Sequence, residues 1–168
     1  MVAYSLLLVF PALMILAALN DVGSMTIPNW ISAALFGTFV VLAAVCGMGW
    51  GPFGLHLLAG FGLLAAGIVL FATGTFGGGD AKLIAAGGFW IGPDLVVQYI
   101  AYIAVFGGVL ALSILAYRRM IPATSLPLPA WALRLYAKDG GIPYGVAIAA
   151  GALLTFPKTQ LYVLAAGG

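Results

Sequence analysis

The chain has 168 residues, 64% of them hydrophobic and 6% charged, with a mean hydropathy of +1.20. Six Lys or Arg and four Asp or Glu side chains cannot cover a water-soluble domain, which carries about a quarter charged residues, so this chain is dissolved mainly in lipid. A net charge of +2 argues against a nucleic-acid partner, and the single cysteine, Cys46, excludes an internal disulfide or a C-x-x-C zinc pair.

A spanning helix needs about 20 apolar residues to cross a hydrocarbon core of about 30 Å. Residues 2–19 meet that length, and with no Lys or Arg among them they read as a span rather than a cleaved signal peptide. The polar run Asn20-Asp21-Val22-Gly23-Ser24 predicts a break. Ile27-Pro28 opens a second span, which runs to Cys46 and ends at a Gly-rich turn where Trp50 reads as an interfacial anchor. Residues 55–71 form a third span. A polar, Gly-rich stretch follows to Asp80, and residues 81–91 then make a short helix, stopped by Gly92-Pro93-Asp94.

Residues 95–117 are the clearest span, and Arg118-Arg119 mark its exit. Residues 125–129 read as an extended Pro-rich linker and residues 130–138 as a short amphipathic interfacial helix. Ile142-Pro143 opens the last span, interrupted at Pro157-Lys158. The expectation is an all-α polytopic membrane bundle of about six helices, one of them short, folded as a single domain over residues 1–168. No internal repeat favours an inverted-repeat transporter.

With six spans, the connections near Asp21, near Asp80 and over residues 118–141 share one side. They hold Lys82, Arg118, Arg119, Arg134 and Lys138, leaving only Lys158 on the other. Basic residues favour the cytoplasm, so this side is cytoplasmic and the N-terminus lies outside. The same count puts Asp21 and Asp80 at one membrane face.

Four carboxylates are available: Asp21, Asp80, Asp94 and Asp139. An acid deep in a span costs roughly 2.5–3.5 kcal/mol, so those retained there tend to have a task or a partner. Asp94 reads as a helix N-cap and Asp139, beside Lys138, as a solvated loop residue. Asp80 follows Gly77-Gly78-Gly79. Residues without Cβ let another backbone come close, as an extended substrate beside an acid requires; the same run also fits a flexible turn capped by Asp80. Two adjacent carboxyls share a proton, one taking a proton from water while the other donates to a scissile carbonyl. That chemistry needs no metal and no cofactor. The only histidine, His56, falls toward the opposite face and reads as an interfacial residue with a backbone or water partner.

Gly77-Gly78-Gly79-Asp80-Ala81-Lys82-Leu83 resembles the GxGD-x-K signature of type IV prepilin peptidases, a group of intramembrane aspartyl peptidases. Asp21 with Ile27-Pro28-Asn29-Trp30 resembles the first catalytic segment of that family, and Ile142-Pro143-Tyr144-Gly145 its last-helix motif. The resemblance implies that Asp21 and Asp80 are catalytic. It implies removal of a short basic leader from prepilin-like substrates at the cytoplasmic face of the bacterial inner membrane. Gly77, Gly79 and Lys82 carry over as motif residues on the substrate side. Tyr144 and Gly145, expected at the same rim, are candidates for shaping the substrate groove. The longer branch, which also N-methylates its product, has a cysteine-paired segment that this chain lacks, so the likeness is to the short Flp-type branch. Two other readings fit composition alone: a small channel or transporter subunit with a broken helix near Gly77, and an inactive structural subunit. The implied partners are a prepilin-like substrate and the bilayer; the sequence leaves the oligomeric state open.

Overall fold

The computed structural model describes residues 2–120 and 141–167. The regular elements among them are all helical: α1 (Val2–Ser24, with a single turn at Leu8), α2 (Asn29–Val45), α3 (Trp50–Ala72), α4 (Gly78–Ile91), α5 (Val96–Met120), α6 (Tyr144–Thr155) and α7 (Gln160–Gly167). A 3₁₀ turn, Pro93–Leu95, leads into α5, and another, Phe156–Lys158, separates α6 from α7. The linker and interfacial helix expected over residues 125–138, with Arg134, Lys138 and Asp139, lie outside the described residues.

Three helices, α1, α3 and α5, are long and apolar enough to cross a membrane, and a fourth span results if α6 and α7, bent by 56°, count as one. The other apolar helix, α2, has 17 residues. α4, with 14 residues, reaches only about 21 Å, too short to cross alone.

α4 is the centre of the bundle. Its residues from Ala85 to Ile91 are all buried, and it packs against α3, α2 and α6. With little hydrophobic drive between helices in lipid, close approach depends on small side chains. A Cβ at Gly67 would lie 2.8 Å from the Ala81 Cβ and 3.1 Å from its Cα, and one at Gly88 would lie 3.3 Å from the Gly60 Cα. These contacts hold α3 against α4 backbone to backbone. Below them, Trp90 donates its indole N–H to the Leu35 carbonyl of α2 at 2.8 Å, and Phe10, Phe39 and Phe156 close around its ring. The Trp90 contacts tie α4 to α1, α2 and the end of α6, and thereby fix where its first turn sits.

Several helix ends differ from the sequence expectation. Residues 20–24 continue α1 rather than break it, because their polar side chains bond to the helix itself: Asn20 Nδ2 donates to the Leu16 carbonyl at 2.8 Å and Ser24 Oγ to the Asn20 carbonyl at 2.8 Å. α1 stops one residue later, where Met25 takes φ 54° and its N–H reaches the Asp21 carbonyl at 2.8 Å, a left-handed cap. Trp50 begins α3 instead of preceding it and is 88% exposed. Pro52 is tolerated in that first turn because its missing N–H has no partner there anyway. Asp94 sits inside the 3₁₀ turn before α5, not at the cap position.

Candidate active site

Asp21 is placed by the stripe that packs α1 into the core. Phe10, Met14, Ala17 and Asp21 are the buried residues of its second segment, at the three- and four-residue spacing of one helix face. Asp21 therefore occupies a core position and is 5% exposed. A carboxylate there needs a donor. It has one: the Gly145 backbone N–H, in the first turn of α6, donates to Asp21 Oδ2 at 2.7 Å. A Cβ at Gly145 would lie 2.9 Å from that oxygen and 3.0 Å from the Asp21 Cβ, so only glycine lets the two backbones approach this closely.

Asp80 arises from a different local logic. α4 starts at Gly78, with Gly77 as its N-cap in extended conformation (φ −74°, ψ 140°). Asp80 is thus the third helical residue, not the residue before the helix, which corrects the turn reading. From there its carboxyl reaches back to the Gly77 backbone N–H, as the acid of a capping box does. A Cβ at Gly77 would lie 2.6 Å from Asp80 Oδ2. Gly79 faces the other way, where a Cβ would lie 3.2 Å from the Ile27 Cβ. It lets α4 begin directly against the α1–α2 connection.

The two acids, 59 positions apart in the sequence, meet at one end of the bundle. Asp80, at the mouth and outside the spanning helices, is pushed up to about 6 by burial first and by the Asp21 carboxyl second, against the Gly77 N–H. The two carboxyls thus lie close enough to repel. Asp80 lines a vestibule of about 630 Å³ together with Gly77, Phe76, Arg118, Ile142 and Tyr144. The site is therefore acidic at its base and open on the side of Asp80. Among the described residues no three His, Cys, Asp or Glu side chains gather where a metal ion could sit.

The remaining expected residues divide. Tyr144 is at the site: its ring stands edge-on to Phe76 at 5.7 Å and lies against Gly107 of α5, where a Cβ would come within 2.8 Å of the ring. Lys82 points elsewhere; its Nζ donates to Asn29 Oδ1 at 2.8 Å, tying α4 to the start of α2. His56 is buried rather than interfacial, with Nδ1 2.7 Å from the Phe89 carbonyl. Phe76 and Gly107 were not singled out in the sequence. Phe76 carries a faint signal as the one aromatic between Thr73 and Asp80, and Gly107 carries none.

Residues 8–112, more than half of the chain, match the model of the type IV leader peptidase family. The chain belongs to this family. No curated protein and no solved structure matches it. The leader-peptidase match covers Asp21, Gly77, Gly79, Asp80 and Lys82 and stops before Tyr144 and Gly145, so the tie from α6 to Asp21 stands on geometry alone. Family membership and the apolar helices together make this a multi-pass membrane protease of the leader-peptidase kind.

Proposed function

We propose that the protein is a prepilin-type leader peptidase in which Asp21 and Asp80 form an aspartyl pair. It removes a short basic leader at the cytoplasmic face of the bacterial inner membrane. The observation that carries this reading is the meeting of two carboxyls, one from α1 and one from α4, each held by a glycine N–H, with Asp80 lining an open vestibule. Like charges this close do not both ionise readily. The ionised acid takes a proton from a water, the water attacks the scissile carbonyl carbon, and the protonated acid donates to the carbonyl oxygen. The tetrahedral intermediate then collapses with proton transfer to the leaving nitrogen. The glycine donors hold each carboxyl in place without filling the space that an extended substrate needs.

The test is cleavage of a prepilin-like substrate by purified protein in vesicles, read by sequencing the new N-terminus. Asp21→Asn and Asp80→Asn should each lose cleavage while inserting normally. Normal processing by either variant would remove the two-acid mechanism and leave the family assignment standing.

A further inference from the structure

A second cavity, about 340 Å³, lies between α3 and α5 and is almost wholly apolar. Its walls are Leu63, Ala66 and Leu70 of α3 and Ile100 and Ala104 of α5, with Ile84 of α4 as its floor. α3 and α5 are not packed against one another along this seam, so the cavity opens sideways. Ala66, Leu70, Ile100 and Ala104 are all exposed. The cavity is continuous in its lining with the vestibule: Phe76 and Tyr144 border both. Ile84 and Asp80 are four residues apart on one helix and so share a face. One side of α4 thus runs from the acid at the mouth to an apolar floor one turn deeper.

We propose that this groove seats the apolar, membrane-buried segment of the substrate that adjoins the cleaved bond, with the Phe76–Tyr144 pair as the partition its chain passes to reach Asp80. The proposal rests on the peptidase reading. Three observations select a helical substrate segment over a lipid tail as occupant. The groove joins the vestibule instead of ending blind. Its walls carry small exposed residues, Ala66 and Ala104, which admit a backbone at close range. Its floor is in register with Asp80. A chain with an apolar stretch and a polar stretch meeting at the rim would lay the first in the groove and the second in the vestibule, leaving the junction beside the acids.

The experiment places the photocrosslinker p-benzoylphenylalanine at Leu70 or Ala104, on the groove, and at Val69 or Val105, exposed next to them but outside it. The probe is a single-span peptide with a short basic N-terminal extension, reconstituted with Asp80→Asn protein in phosphatidylethanolamine–phosphatidylglycerol vesicles. Crosslinks to the peptide should form from Leu70 and Ala104 at least about tenfold more than from Val69 and Val105. In active protein, Ala104→Trp should raise KM roughly tenfold, the loss of one well-filled contact, whereas Val105→Trp should leave it unchanged. Equal crosslinking from all four positions, or crosslinks from Leu70 to lipid only, would overturn the groove. Cleavage by the Asp80→Asn protein in the same vesicles would instead overturn the two-acid reading and leave the crosslinking pattern to judge the groove by itself.

Discussion

The two ends of the bundle each bury a titratable side chain against a backbone partner, and only one of them sets a second acid beside it. At one end His56 donates its Nδ1–H to the Phe89 carbonyl at 2.7 Å, stacks on Phe39 at 5.7 Å, and faces Gly92, whose φ of 77° brings the backbone against the imidazole. That group is satisfied and enclosed. At the other end Asp21 is as deeply buried, but its neighbour is a second acid, and the second acid opens on a vestibule. Burial of an ionisable group is common to structure and chemistry. What separates the two ends is a like-charged partner together with a way in for water and substrate.

The comparison can be broken from the acidic end first. Asp21→Asn or Asp80→Asn should lower leader cleavage by at least about 10²–10⁴-fold, the span of a lost acid–base group, with membrane insertion unchanged by protease-protection mapping. Gly145→Ala comes next. The new Cβ displaces the Asp21 carboxyl, and a shift of that order costs roughly 100-fold in rate; kcat should fall in protein whose thermal unfolding in detergent stays cooperative. At the His56 end the expected effect is on stability instead. Gly92→Ala forces an L-residue into a left-handed conformation against the imidazole, which should cost about 1–3 kcal/mol in reversible unfolding while the folded fraction keeps its activity. A loss of activity at Gly92 exceeding the loss of folded protein would erase the distinction between the ends.

Two smaller effects sharpen it. Carbodiimide labelling, which takes protonated carboxyls, should modify Asp80 with a midpoint near its pKa of about 6. Labelling is retained below that pH and lost above it. Asp21→Asn removes the like charge, so the Asp80 midpoint should move down. Lys82→Gln and Asn29→Ala break the same hydrogen bond, and each should cost about 0.6 kcal/mol, the mean for polar contacts between helices in lipid. If Lys82→Gln lowers cleavage far more than Asn29→Ala does, Lys82 touches substrate as well.

Much of this was legible in the sequence because membrane topology is a coarse, cumulative signal. Apolar runs of near-spanning length located the helices, and the count of spans between them put Asp21 and Asp80 at one end. The finer errors share a cause. Asn20, Asp21 and Ser24 read as a turn because free polar groups favour one, but in the helix the Asn20 and Ser24 side chains bond back onto the preceding turn and Asp21 accepts from Gly145, and nothing in the local sequence announces that choice. The Gly78–Gly79 pair likewise reads as flexible, yet it is helical because Asp80 bonds the Gly77 N–H. Gly145 was expected to border the substrate groove; that its N–H holds Asp21 follows from packing across 124 positions, which no local pattern encodes. Lys82 carries over by its place in the motif; in the structure its Nζ bonds Asn29 Oδ1, since residues two apart along a helix point to different sides.

The bond from Gly145 to Asp21 also bears on how the molecule is made. The ribosome delivers both acids long before residue 145, so a half-synthesised chain carries both carboxyls without the donor that holds the first of them. That bond can form only once the first turn of α6 is present. In the proposed mechanism the aspartyl pair is thus assembled in order, carboxyls first and the Gly145 donor afterwards.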